Sequence, residues 1–282
     1  MIRKIFLVDA LVDGPFSGAP TTVVFLESPM DKFKMLSLAN EMGTGETVYV
    51  LLHYQAAYLL RFFGRTQELP LGAHGCHAAA HLIFELGLLP PDEPIVFLTQ
   101  EGEIHARRAA SERTEIKFSA QPMNKMDQAN QNLYAEVLSV NPSAITWAGL
   151  TPARAAIVAI DAPAQLRRLA PDRDKLIKTG AATLAVTAPD PSGADYCLRS
   201  FTPSPLLPER QASANIHRAL APKWAQILQK KSLVARQYSN RGGLVRLDVS
   251  DPNSVVMTAQ SRTVLRGDLV IGLQDSLGPL PR

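Results

Sequence analysis

The sequence predicts an α+β fold built from two similar halves, with a ligand cleft between them. Three observations carry this. Short apolar runs at strand period alternate with stretches at helical period, the order of elements recurs about 138 positions later, and the recurrence shows in letters as well as in pattern. With 282 residues, 46% of them hydrophobic and 20% charged, the chain can bury a sizeable core, and two are expected.

Residues 5–12 and 21–26 are β-rich, and 30–42 carries Phe33, Leu36 and Ala39 at helical spacing. Strands follow over 47–52 and 57–63. A Gly-Ala start at Gly72 opens an apolar helix over 74–86, which Gly87 and then Pro90-Pro91 stop. Residues 95–99 read as a strand, 101–103 as a turn, and 104–107 with 114–118 as a hairpin. The polar, Pro-led stretch 121–132 is the expected linker, which sets the two units at 1–120 and 130–282. Beyond it, Arg199-Ser200-Phe201 repeats Arg61-Phe62-Phe63, and each copy precedes a Pro-containing loop and an Ala-rich helix, here 213–221. Residues 239–244 repeat the strand, Gly-turn, strand pattern of 99–104. A duplicated block of this length is one domain doubled, not a solenoid repeat, and the space between two such units is a natural ligand site.

The charge balance, 29 basic against 26 acidic residues, is scattered along the chain, so no nucleic-acid partner is expected. The longest apolar runs, such as 48–52 and 155–160, are far shorter than the roughly 20 residues that span a bilayer, and no signal-peptide pattern stands at the N-terminus. A cytoplasmic protein without membrane contact is expected. Cys76 and Cys197 lie far apart and outside any C-x-x-C context, which points to reduced thiols.

Glu46 follows Thr44-Gly45 and stands at the mouth of a core strand, where burial would raise its pKa. A carboxyl tuned towards neutrality can lift a proton from carbon and return it elsewhere, the work of an isomerase that needs no cofactor. A solvated Glu at a strand start is the alternative. The same offset brings Leu184 to its place in the second half, so the carboxylate reads as a single acid/base group. His77 and His81 have the i, i+4 spacing of zinc ligands, but no Glu lies between them as in H-E-x-x-H and no third ligand offers itself; no metal is expected. His74 sits in a first helical turn after Gly72-Ala73, where free N–H groups suit a carboxylate. Ser213-Ala214-Asn215, with His217 one turn in, offers a matching position, with plain helix capping as its alternative. Gly14 to Pro20 lacks nucleotide-binding spacing, and Ser213 stands in no G-x-S-x-G elbow.

These letters resemble the PhzF-like (phenazine-biosynthesis isomerase-like) proteins, relatives of diaminopimelate epimerase, over nearly the whole chain. The matching stretches are Val8-Asp9-Ala10 with Gly14 to Pro20, Glu41 to Thr47, Arg61-Phe62-Phe63, Gly72 to His81, Pro208-Glu209, His217 with Ala219 to Pro222, and Gln237 to Gly243. The resemblance implies that each half is an antiparallel, β-barrel-like sheet wrapped around a central helix, with the site in the cleft, and frequently a homodimer. It also implies that Glu46 matches the general acid/base glutamate and His74 the histidine of the first central helix. Departures are present: Arg210 stands where the family has a substrate-contacting Asp, Ala214-Asn215 where it has Gly-Ser, Pro70 where it often has Asp, and Gly43 and Gly45 where it has Asn and Ser. Ala73 likewise adds bulk near the presumed anion position. The cysteines do not fall on the two cysteine positions of diaminopimelate epimerase. The expectation is a cofactor-independent isomerase in which Glu46 moves a proton between carbons of a small carboxylated metabolite held by Gly72, Ala73, His74, Arg210, Ser213, Ala214 and Asn215. The alternative is a catalytically altered member that acts as a small-metabolite binding protein.

Overall fold

A computed structural model of the chain describes residues 3–52, 57–211 and 214–269. It opens with the antiparallel pair β1 (Arg3–Ala10) and β2 (Ala19–Leu26). Helix α1 (Lys32–Met42) starts at Asp31, whose side chain accepts the N–H groups of Phe33 and Lys34, and stops at Gly43 in the left-handed conformation with φ 66°. Then come β3 (Glu46–Leu52), β4 (Tyr58–Phe63), β5 (Glu68–Leu69), α2 (Ala73–Glu85), β6 (Ile95–Thr99), β7 (Gly102–Ala109) and β8 (Arg113–Ser119). The next stretch holds β9 (Asn124–Lys125), α3 (Gln128–Leu138), β10 (Ile145–Leu150), β11 (Ala155–Ile160), α4 (Pro163–Arg168), α5 (Arg173–Thr179) and β12 (Thr183–Pro189). The chain continues through β13 (Tyr196–Phe201), β14 (Glu209–Arg210), α6 (His217–Leu228), β15 (Ser232–Gln237), β16 (Gly243–Asp248) and β17 (Ser254–Leu269).

The strands link into one sheet that closes as a β-barrel with helices packed on it. It is not a purely antiparallel sheet: β2–β3, β4–β6, β11–β12 and β13–β15 pair in parallel. The physical reason is connection length, because a parallel neighbour must be reached by a crossover. Those crossovers are α1, α2, α4 with α5, and α6. Two series of ladders follow the same plan. In each, an Arg on the middle strand bonds a Glu on the two-residue strand, Arg61 Nε to Glu68 Oε1 and Arg199 Nε to Glu209 Oε1, both at 2.8 Å. Each guanidinium also lies over a nearby ring, Phe63 or Phe201.

Helix α2 is buried at every position from Ala73 to Ala80, as a helix apolar all round must be. The main core contains Cys76 and Leu82 of α2 together with Leu220 and Trp224 of α6, so one hydrophobic cluster runs through both where two separate cores were expected. Strand β17 explains the continuity: it pairs with β16, then with β8, then with β1. Both cysteines are buried and free. Among the described residues, no helix is long and apolar enough to cross a membrane.

Two further expectations are corrected. The stretch 121–132 is no bare linker: β9 pairs with β10, and Asp127 caps α3 by accepting the Asn130 N–H at 2.8 Å. Its polarity belongs to the exposed face of α3, whose Tyr134, Ala135, Val137 and Leu138 are buried. The second Ala-rich helix does not span 213–221. A 3-10 turn over Ala214–Ile216 precedes α6, which continues through Pro222 to Leu228. A proline inside a helix frees the carbonyl four residues back. Here that carbonyl, of Arg218, accepts the Gln121 N–H at 2.9 Å, so Pro222 docks the segment after β8 instead of ending the helix.

Two histidines lie in this core. His77 Nδ1 is 2.7 Å from Thr114 Oγ1, and His217 Nδ1 is 2.7 Å from the Tyr196 hydroxyl. Burial pushes both down to about 3. They stay neutral in the fold and take up protons on unfolding, where an ordinary value near 6.5 applies. The stability they contribute is present above about pH 6.5 and lost as pH falls towards about 3. Urea midpoints are therefore expected to fall steadily from pH 6.5 to 4, and His77→Asn should make that slope shallower; an equal slope in the variant would remove His77 as a cause.

Candidate active site

The left-handed Gly43 turns the chain out of α1, and Thr44 fixes the entry to β3: its hydroxyl donates to the Glu46 carbonyl at 2.9 Å. Glu46 is the first residue of β3 and is only 1% exposed. Its carboxyl rests on the N-terminus of α2, where no side chain caps the helix. This position exists because residues 72 and 75 are glycine: a Cβ would stand 2.0 Å from Glu46 Oε1 at Gly72 and 2.1 Å at Gly75. The Gly75 N–H bonds the carboxyl, yet Oε1 has no hydrogen-bond partner among the described residues.

Burial raises the Glu46 carboxyl to about 8, against the lowering effects of the Arg210 charge and the Gly75 N–H. His74 Nε2 lies 3.3 Å from Glu46 Oε2. Burial, helped by Arg210, pushes this imidazole down to about 3. At neutral pH the contact joins two neutral groups and is not an ion pair.

Arg210 closes β14, pairing with Ser200, and its carbonyl accepts Gln237 Nε2 at 2.6 Å. The guanidinium forms no ion pair with a described residue and is left as the cation of the cleft. Asn215 reaches across to donate Nδ2 to the Leu71 carbonyl at 2.9 Å, and its Oδ1 is buried without a partner. Glu46, His74, Arg210, Ala214 and Asn215 thus line one cleft of about 220 Å³, with Thr183 on the facing wall.

The residues 8–272 match the sequence model of the PhzC-PhzF family, described as phenazine biosynthesis-like protein. The chain belongs to this family. It is 30% identical to an uncharacterized isomerase of Halalkalibacterium halodurans, over 96% of this chain and 100% of the relative. A second uncharacterized isomerase, from Pseudomonas aeruginosa, is 30% identical over 84% of this chain and 87% of its own. A solved PhzC/PhzF protein from Clostridium difficile is 25% identical, with a TM-score of 0.83 over 95% of this chain and 100% of that one. A hydroxyproline epimerase from Agrobacterium vitis, solved with bound trans-4-hydroxy-L-proline, shares the fold alone: 13% identity and a TM-score of 0.61 over 95% of this chain and 92% of that one.

Within this PhzC-PhzF chain, some residues singled out from sequence sit elsewhere. Gly72 and Ala73 are buried and do not line the cleft; the Ala73 methyl points into the main core, and Gly72 makes room for Glu46. Ser213 lies outside the described residues, and α6 opens at His217 without a side-chain cap. Matching the ladders puts Thr183, not Leu184, in the place of Glu46, since Glu46 pairs with Thr21 as Thr183 pairs with Ala155. The offset shrinks by one there, and the matching residue is a neutral hydroxyl. No cluster of three or more metal-ligating side chains occurs among the described residues. Sequence reasoning missed Glu101, Gln121 and Arg218, which also line the cleft. Arg218 Nη2 binds Glu101 Oε2 at 2.8 Å, and Arg218 is 4% exposed. Its signal was available: an arginine among the apolar residues Ile216, Ala219 and Leu220.

The glycine contacts give a direct test. Gly75→Ala must displace the Glu46 carboxyl towards water, so its titration is expected to drop from about 8 towards the ordinary value near 4.3. Carbon NMR of labelled glutamate carboxyls across pH 3–10 reads this; an unmoved titration would mean that the carboxyl does not rest on this helix end.

Proposed function

We propose that this chain is a cofactor-independent isomerase that moves a proton between carbons of a small carboxylated substrate, with Glu46 as general acid and base. The observation that carries this reading is a buried carboxyl raised to about 8 that shares a cleft with an unpaired arginine. A half-buried cation at the cleft wall without a counter-ion among the described residues favours an anion from the ligand, and Arg210 is placed to hold the substrate carboxylate. Ionised Glu46 takes the proton from the adjacent carbon. The electron pair of the broken C–H bond spreads into the π system joined to the carboxylate, where the Arg210 charge stabilises it. Glu46 then returns the proton to a second carbon, and no oxidant or reductant is required. The other cleft carboxylate, Glu101, is held by Arg218, and Thr183 is neutral, so one base serves both steps. Neutral His74 offers a hydrogen bond to the substrate beside Glu46.

The same reading takes 1–120 and 130–282 as two copies of one unit, each a sheet wrapped around its own helix, α2 or α6. Support comes from the matching ladders, the paired crossovers and the Arg61–Glu68 and Arg199–Glu209 pairs. Names of relatives as isomerases agree with the reaction class. Arg210 and Ala214-Asn215 favour a second reading, a family member that binds a small metabolite without turning it over.

Glu46→Gln keeps the shape of the side chain but cannot exchange a proton, so turnover of any substrate found should fall by about 10² or more with binding nearly unchanged. In heavy water the native protein should wash deuterium into a carbon position of that substrate and the variant should not. Retained turnover in Glu46→Gln takes the acid/base role from this residue; tight carboxylate binding with no carbon-hydrogen exchange favours the binding protein.

The pH dependence has a defined sign. The base must be ionised, so kcat/KM of the native protein should rise with pH through about 8 and then level. Arg210 lowers the Glu46 value, so Arg210→Gln should move this limb to higher pH in addition to weakening binding. An unmoved limb in that variant would separate Arg210 from Glu46 electrostatically.

A further inference from the structure

We infer that the cleft continues past Arg210 into a second, cationic chamber that receives another carboxylate of the ligand, so that the substrate is a small dicarboxylate. This rests on the reading of the Glu46 cleft as a carboxylate site. A cavity of about 200 Å³ adjoins that cleft, and the two share Leu69, Ala182 and Arg210 as a common wall. Its lining contains two guanidinium groups, Arg65 and Arg210, and no acidic side chain. Arg65 Nε is shut off from solvent without a hydrogen-bond partner, and neither arginine forms an ion pair with a described residue.

Enclosed donors such as Arg65 Nε are normally met, and two half-buried guanidinium groups on one cavity wall favour an anion between them. A ligand that brings acceptor oxygens between the two arginines supplies both. The hydroxyls on the opposite rim do not compete for it. Thr202 Oγ1 donates to the Leu207 carbonyl at 2.5 Å and accepts the Ser204 N–H at 3.2 Å, while Ser204 Oγ accepts the Leu206 N–H at 3.3 Å. These bonds stiffen the rim loop and leave the planar arginine forks as the recognition groups, a geometry that suits carboxylate. Glu46 lines the inner cleft alone, which sets the polarity: the reacting carbon lies inside, and the remote carboxylate lies beyond Arg210. Remote binding of this kind holds the reacting carbon in register with the base.

Calorimetry on the full chain with succinate, glutarate and adipate, against butyrate, pentanoate and hexanoate, tests the inference. At least one dicarboxylate is expected to bind about tenfold or more tightly than the monocarboxylate of equal length. Arg65→Gln should abolish that advantage while monocarboxylate affinity stays within about twofold, and Arg65→Lys should restore part of it. Equal affinity of the two classes for native protein, or equal weakening of both by Arg65→Gln, overturns the second chamber and leaves the Glu46 reading standing. Binding of neither class overturns both. Tighter binding of 3-phosphonopropionate than of succinate overturns the dicarboxylate assignment in favour of phosphate.

Discussion

The burial of one carboxyl group against a helix end organises this molecule. Glu46 stands at the start of a core strand, and its oxygens occupy space that a Cβ at position 72 or 75 would fill. A helix N-terminus stabilises negative charge, whereas burial opposes it, and burial is the larger effect here. The outcome is a carboxyl poised near neutrality, the range in which a group both accepts and donates a proton readily. Every other feature of the cleft serves that position. Thr44 fixes the strand entry, Gly75 bonds the carboxyl and His74 covers it as a neutral ring.

The surrounding scaffold brings together segments far apart in the chain, and it does so with polar contacts where the core alone would allow sliding. The Arg218 carbonyl, freed by Pro222, accepts the Gln121 N–H, and the Arg218 side chain holds both Ser119 and Glu101. Asn215 bonds the Leu71 carbonyl directly beside the cleft. Arg241 binds Asp9 at 2.7 Å, and Arg236 binds Asp13, tying β1 and the loop after it to the β15–β16 hairpin. Hydrogen bonds to buried charges are among the stronger ones, and their geometry is directional. The bonds of Arg218 and Asn215 join residues of the cleft walls to one another, an arrangement that suits acid/base chemistry at a single carboxyl.

Charge in the cleft is lopsided by design of the fold. Arg218 is neutralised by Glu101, while Arg210 faces the ligand space unpaired. A cleft with one raised carboxyl and one unmatched cation is complementary to an anion whose charge delocalises during proton transfer. In the matching place on the other wall, Thr183 contributes a hydroxyl and no charge, which makes the pocket chemically one-sided although its strands follow a repeated plan.

Much of this was legible in the letters. Local pattern determined α1, α2, the strands that follow them and the β7–β8 hairpin, because apolar period, Gly stops and caps act over a few residues. Glu46, at the mouth of an apolar strand, was legible for the same reason, as was His74 in a first helical turn, whereas Arg210 was singled out only through the family resemblance. The helix end expected at 221 was not legible, because whether a helix runs through a proline depends on what donates to the freed carbonyl, and Gln121, whose N–H does so here, is about 100 residues away. The polar run 121–132 misled similarly: its polar face belongs to a helix whose apolar face is defined only by what packs on it. Ala73 and Arg218 were decided by tertiary structure alone, since the direction in which a helical side chain points is set by the packing of the whole helix, and Glu101, in the turn between β6 and β7, joins the cleft through its ion pair with the distant Arg218. The sequence by itself determined α1, α2 and the strands beside them, and it singled out Glu46 as a carboxyl placed for burial. Only the folded chain decided how deeply it is buried, which cation stands near it and which stays unpaired, because desolvation and charge-charge terms depend on distances that no local pattern encodes.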